Sequence, residues 1–212
     1  MTEEEQWISI DPQDMWVLDK LIVARMMGHV AGPVGVSVPR PDWYVVRPAV
    51  NALGLGIGAE RRWLTGNTDT LTPGHFWCEW FDGRHLSIDY HYGEQQLAVE
   101  GFKPDTTFIR WAEWKRVEDV ISLPLMLQHL ATKHEWINCE YIGGNLIEVH
   151  LRGNQDFIGN IDHFIPVWDG ESTVPPDQYE YLDYPDIHGH IGAFIHRQDL
   201  TTQYHTFLQS QR

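Results

Sequence analysis

Cations, cysteines and long apolar runs are all scarce in this chain, and each shortage excludes something. Fifteen Lys and Arg stand against 30 Asp and Glu in 212 residues, a formal charge of −15 with no basic tract. A phosphate backbone would be repelled, so nucleic acid is not expected as a direct partner. The only two cysteines, Cys78 and Cys139, each sit in an apolar, strand-like run. That is the pattern of buried free thiols rather than a disulfide, and it suits a reducing, cytoplasmic setting. No apolar run approaches the roughly 20 residues that cross a bilayer. The start, Met1-Thr2-Glu3-Glu4-Glu5, is acidic and lacks an apolar core, so neither a membrane partner nor a secretory leader is expected. Internal repeats and low-complexity segments are also missing.

What is present is enough for one good core or two small lobes. Ten tryptophans read as large packed side chains, since stacking platforms for bases normally come with positive charge. Asp11-Pro12 can cap and open a helix, and Trp16, Leu18, Leu21, Ile22 and Met26 follow with mostly helical spacing, which predicts a helix over 12–28. A turn-rich connector from Gly32 to Pro39 leads into Trp43-Tyr44-Val45-Val46-Arg47-Pro48, a strand closed by proline, with Arg47 at its end. In 51–59 glycine recurs at 54, 56 and 58, which would let the backbone approach a ligand closely.

Three extended runs, His75 to Phe81, His85 to Tyr92 and Gln95 to Gly101, are joined by Asp82-Gly83 and Gly93-Glu94 and read as an antiparallel meander. Thr107 to Trp114 reads as a further strand and Leu123 to Lys133 as a helix. Beyond Asn154 the chain is rich in Asp, Pro, Gly and aromatics with little periodicity, so it is expected to wrap the domain. The whole is expected to be one compact α+β domain: a small lobe about 12–75, a larger lobe about 76–165 and a tail about 166–212.

The chemistry concentrates in a hairpin over 136–151. Asn138-Cys139-Glu140, a Gly143-Gly144-Asn145 turn and Ile147-Glu148-Val149-His150-Leu151-Arg152 set Glu140 and Glu148 eight residues apart, facing each other across the turn. Magnesium takes oxygen ligands and is usually held by one or two carboxylates plus substrate phosphates. Such a pair therefore points to nucleotide chemistry, and the bland alternative is a solvated hairpin with acids on its outer face.

From Leu18 to about Arg152 these segments, in this order, resemble the ATP-grasp enzymes, such as carboxylate-amine ligases, biotin carboxylases and D-alanine ligases. Leu18-Asp19-Lys20, its helix and Gly35-Val36-Ser37-Val38-Pro39 look like the family's phosphate-binding lysine and the segment after it. Val45-Val46-Arg47-Pro48 looks like the strand ending in a second phosphate cation, and Gly54, Gly56 and Gly58 fall where its glycine-rich loop belongs. Cys78-Glu79 through Ser87-Ile88-Asp89 is similar to the hinge flanking adenine and ribose. Asn138-Cys139-Glu140 and Glu148 to Arg152 resemble the strands that close the metal site.

The resemblance implies a two-lobed fold with antiparallel sheets and flanking helices, with ATP clasped between the lobes. It also implies an ATP-dependent ligase that forms an acyl phosphate from a carboxylate, then passes it to an amine or thiol, releasing ADP and phosphate. Lys20 and Arg47 would hold the phosphates, Glu79 and Asp89 the nucleoside, and Glu140 and Glu148 magnesium, with manganese as an alternative. Arg152, placed on the face of Glu148 by period-two alternation, and His150 would serve the transferring group. His150 departs from the family's asparagine, and imidazole suits magnesium poorly. The α/β domain that usually precedes the lobes is not seen, so the acceptor would be held by the tail, another protein or a second copy. Two other readings stay open: a non-catalytic nucleotide-binding or interaction subunit, and a non-haem iron protein drawing on His85, Asp89, His91, His150, His188 and His190.

Overall fold

Period-two alternation of side chains organises the molecule into two antiparallel sheets. The computed structural model describes residues 3–50, 56–103, 110–155, 157, 161–183 and 189–200. The smaller sheet contains β1 (Ala31–Pro33), β2 (Asp42–Pro48), β3 (Glu60–Leu64) and β4 (His75–Glu79), in the order β1-β4-β2-β3. The larger contains β5 (His85–His91), β6 (Glu94–Phe102), β7 (Glu113–Arg116), β8 (Trp136–Ile142), β9 (Asn145–His150), β10 (His163–Trp168), β11 (Tyr179–Asp183) and β12 (His190–His196). Its order is β11-β12-β10-β7-β6-β5-β8-β9. Two short helices, α1 (Glu3–Ser9) and α2 (Lys20–Met26), flank the sheets, giving the expected α+β class. Among the described residues no helix is long and apolar enough to cross a membrane.

The helix expected over 12–28 is interrupted. Met15–Leu18 forms a 3-10 turn, and α2 starts only after Asp19. Asp19 is extended (φ −91°, ψ 104°), and its carboxylate accepts hydrogen bonds from the N–H groups of Leu21 (2.9 Å) and Ile22 (3.1 Å). That capping satisfies orphan donors at the cost of helical continuity. Asp11 caps only a turn, accepting from the Gln13 N–H at 2.9 Å. The helix expected over 123–133 is likewise two 3-10 turns, Leu125–Leu127 and Leu130–Thr132, after an extended Pro124 (φ −52°, ψ 139°).

The meander also divides. β5 and β6 form a hairpin, but β4 pairs with β1 and β2 in the small sheet. β4 is covered on both faces, with Phe76 and Cys78 against Ala24 on one side and Trp77 against Tyr44 and Val46 on the other. The chain therefore leaves one sheet and enters the other between Trp80 and Arg84. The tail beyond 154 is no mere wrapper, since it supplies β10, β11 and β12 to the large sheet. Of the strand expected over 107–114, residues 107–109 lie outside those described, and β7 begins at Glu113.

One face of the large sheet buries Leu86, Ile88 and Tyr90 of β5, Ile137, Cys139 and Tyr141 of β8, and Leu146 and Val149 of β9 beneath Val17, Leu18 and Val23. Each fully buried aliphatic side chain there contributes about 1.5–3 kcal/mol. A second cluster, including Val99, Trp114, Phe164, Trp168 and Ile195, fills the opposite face toward β7, β10 and β12. α2 is the joint between sheets. Its Val23 joins the large-sheet core, while Leu21 and Ala24 pack with Phe76 and Cys78. Both cysteines are free and buried, and burial pushes the Cys78 thiol up to about 12.

Candidate nucleotide site

The residues that alternate with the core side chains on β5, β8 and β9 are polar. Ser87, Glu140 and Glu148 form one cross-strand row, and Asp89, Asn138 and His150 the next. A β-bulge makes the first row. The two-residue turn Gly143-Gly144 (φ 57° and 84°) pairs Ile142 with Asn145 and Tyr141 with Leu146. An unbroken hairpin would then set Glu140 opposite Ile147, with Glu148 and His150 on the core side like Leu146. The register instead shifts after Tyr141, and Glu140 faces Glu148. Ile147 is the extra residue, and one inserted residue flips every following side chain to the other face. Glu148 and His150 thus reach the polar face, and Val149 takes over the core side.

The small sheet closes over this edge. The backbone N–H of Lys20, first residue of α2, donates to Ala49 O (2.8 Å), which ties the start of α2 to the end of β2. Lys20 Nζ then lies 2.8 Å from Glu148 Oε1, and Arg47 Nη1 lies 3.7 Å from Glu148 Oε2. Arg47 Nη2 also donates to the carbonyl of the bulged Ile147 (2.7 Å), and its guanidinium lies over the Phe76 ring. His150 Nε2 is 3.5 Å from Glu148 Oε1, and His85 Nε2 is 3.1 Å from Glu140 Oε2. Lys20, Arg47, Glu140, Glu148 and His150 are therefore brought together as the sequence suggested.

Two facing carboxylates repel each other, and burial opposes their ionisation. At Glu148 burial and the Glu140 charge are outweighed by Lys20, His150 and Arg47, which hold the carboxyl below its usual range. At Glu140 burial is overcome by the hydrogen bond and charge of His85 and the charges of His150 and Lys103, and its carboxyl also lies below the usual range. His85 and Lys103 were missed as neighbours of the acid pair. His85 shares the face of Ser87 by alternation, which could have found it. Lys103 could not be found so, because it reaches the site past Trp111, with Nζ 4.0 Å from that ring's centroid.

The proposed nucleoside acids are not together. Glu79, at the end of β4, accepts from the Val30 N–H at 2.8 Å. Asp89 is buried in the second polar row, where Oδ1 accepts from Asn138 Nδ2 and from the Asn154 N–H, both at 2.8 Å. Burial raises its pKa to about 6, against the Asn138 and Asn154 hydrogen bonds and the Arg152 and His150 charges. β9 stops at His150, and just beyond it Arg152 donates from Nη1 to Gly153 O (2.9 Å) while its charge acts on Asp89 of the second polar row. Gly56 and Gly58 (φ 66° and 79°) turn the chain into β3, and a Cβ on Gly58 would meet Pro48 at 3.2 Å, so this turn packs beside Arg47. Gly54 lies outside the described residues.

Among the described residues, no group of three or more His, Cys, Asp or Glu is placed to hold a metal ion. Histidines of the iron reading are dispersed: His91 pairs with Glu135 (3.2 Å), and His190 packs against Phe164 and Trp168. His188 lies outside the described residues. Magnesium asks for less, one or two carboxylates plus phosphates and water. Glu140 and Glu148 supply hard oxygen donors from directly opposed positions, so the residues present fit that ion.

No family model and no curated protein matches the sequence. Solved structures are similar in fold alone. The chain is similar in structure to ATP-grasp proteins. Against an ATP-grasp superfamily protein from Archaeoglobus fulgidus the identity is 12%, with 85% of this chain and 64% of that chain covered at a TM-score of 0.48. An L-amino acid ligase from Bacillus licheniformis gives 12%, 92%, 70% and 0.48 in the same order. A D-alanine–D-alanine ligase from Bacillus anthracis complexed with ATP gives 16%, 64%, 55% and 0.33. The chain spans 54–64% of the first such structures.

Proposed function

We propose that the protein is an ATP-dependent ligase that joins a carboxylate to an amine or a thiol through an acyl phosphate. The carrying observation is the row Lys20, Arg47, Glu148 and Glu140, two acids for a metal ion set against two cations for phosphates. Phosphoryl transfer depends mainly on positioning and charge neutralisation, which such a row provides. Glu140 and Glu148 would hold magnesium, which when bound neutralises charge on the phosphate oxygens. Lys20 and Arg47 would turn from Glu148 toward the phosphates, and the Gly56–Gly58 turn beside Pro48 would lie over them. His85 fixes Glu140, and His150 fixes Glu148. Arg152 would neutralise the oxygens of the acyl phosphate by swinging off Gly153 O. A cytoplasmic setting fits the buried free thiols.

A second reading has its own observation. Lys20 and Arg47 already satisfy Glu148, and His150 replaces an oxygen ligand, as in a subunit that binds nucleotide without turning it over. Phosphate release from magnesium-ATP, measured with a panel of amino acids as both carboxylate and nucleophile, separates the two. The ligase reading requires release by the native protein and none by Glu148→Gln. Full activity in that variant would overturn it, and nucleotide binding without release would select the second reading.

A further inference from the structure

Arg61 is surrounded differently from most of the arginines. Arg40, Arg62, Arg84, Arg116 and Arg197 each pair with a carboxylate, and Arg47 does so at Glu148. Arg61 instead lies against two indoles, its guanidinium carbon 4.8 Å from the Trp43 ring centroid and 4.6 Å from that of Trp80. Among the described residues no carboxylate reaches it, although acids outnumber cations two to one in the chain.

The sheet register builds this arrangement. Arg61 on β3 stands opposite Val45, and Trp63 opposite Trp43, while Val45 is opposite Cys78 on β4. Trp43, Val45, Arg61 and Trp63 therefore share one face, and Trp80, two residues past Cys78, comes up on the same side. Each indole is fixed independently. Trp43 packs edge-on against Trp63 with centroids 5.6 Å apart, and Trp80 Nε1 donates to Asp82 Oδ1 at 2.8 Å.

Both rings lie within cation–π distance of the guanidinium, and Arg61 is nonetheless exposed, so its N–H groups stay accessible from solvent. A guanidinium is the fork that grips a planar carboxylate through two parallel hydrogen bonds. Because the side chain is already ordered, less rotamer entropy remains to be lost on binding.

We infer that Arg61, held by Trp43 and Trp80, is a carboxylate-binding site on the small sheet, taking a carboxylate of a small acid or of an acidic residue in a short peptide. The bound carboxylate is not a reacting one, since Arg61 lies one strand across and two residues along from Arg47. The charge of −15 selects against long polyanions, which it repels before contact. The site is separate from the acid pair and does not depend on nucleotide binding there.

The test is a titration of the full chain, without ATP or magnesium, followed by the indole N–H resonances in a nitrogen-15 spectrum. Trp43→Phe and Trp80→Phe assign the two signals. Glutarate, acetyl-Gly-Glu-Gly-amide and inorganic phosphate are the probes. Saturable shifts of both signals by glutarate or the peptide are expected, with dissociation constants of about a millimolar, as one charge-assisted pair supports. Arg61→Met, which keeps the stacked bulk, should weaken binding at least tenfold, and Arg61→Lys several-fold. Tighter binding of the peptide identifies a peptide ligand, and tighter binding of glutarate a free acid. No saturable shift, tighter binding of phosphate than of either carboxylate, or unchanged affinity in Arg61→Met would overturn the inference.

Discussion

Glu140 and Glu148 face each other across β8 and β9 only because the bulge at Ile147 displaces the register by one residue. The same bulge offers the Ile147 carbonyl to Arg47, so one local irregularity sets the acid pair and anchors the small sheet against it. Bulges beside functional sites commonly re-aim side chains in this way.

The Lys20–Glu148 pair is almost wholly buried, with side-chain exposures of 7% and 12%. Removing one partner strands the other, whereas replacing both with apolar residues of similar size need not destabilise. Lys20→Met is expected to cost about 3 kcal/mol, with Arg47 compensating in part. Lys20→Met combined with Glu148→Leu is expected to lose less than the sum of the single changes by about 1 kcal/mol or more. Urea unfolding of the four proteins measures the coupling, and strict additivity would show that the pair does not interact.

Asp89 makes a pH-dependent contribution of opposite sign to that of the paired acids. Its pKa rises from 3.8 to about 6 on folding, so between those values the folded state binds more protons than the unfolded one. Stability falls as pH rises through that window, by about 3 kcal/mol in all at 1.36 kcal/mol per unit. Asp89→Asn removes this dependence. Unfolding free energies from pH 3.5 to 7 should therefore show the variant gaining on the native protein up to about pH 6 and running parallel above it.

Gly143 adopts φ 57° with no room for a side chain, because a Cβ would collide with the Asp82 carbonyl. The turn that sets the β8–β9 register thus rests on the passage between the two sheets. Gly143→Ala is expected to cost roughly 3 kcal/mol. Gly144→Ala has only its left-handed backbone to strain, with no atom within 4 Å, and should cost about 1 kcal/mol. Thermal or urea unfolding distinguishes the two, and equal losses would contradict the packing.

Much of this arrangement was legible from residue types. Strand β2, the β5–β6 and β8–β9 hairpins and the buried thiols follow from alternation and turn glycines, whereas the facing of Glu140 and Glu148 needs the bulge as well. The bulge was not legible, because no residue type announces which strand takes the extra residue. The broken first helix was concealed by Asp11-Pro12, a good helix start in isolation, while Asp19 held the working cap. β4 was misassigned because pairing partners are a tertiary matter, and both of its neighbours lie earlier in the chain. The tail strands hid among Pro, Asp and Gly, although His190 to His196 carries the β-branched and aromatic content of an inner strand.

The proposed ligase reaction requires Lys20, Arg47, Glu140 and Glu148 to hold a magnesium nucleotide. Calorimetric titration of ATP into the protein, with and without magnesium and repeated with Lys20→Ala and Glu148→Gln, tests it most directly. Magnesium-dependent binding that weakens at least tenfold in each folded variant is the predicted result. Absence of binding by the folded native protein, or binding unaffected by both substitutions, would contradict it.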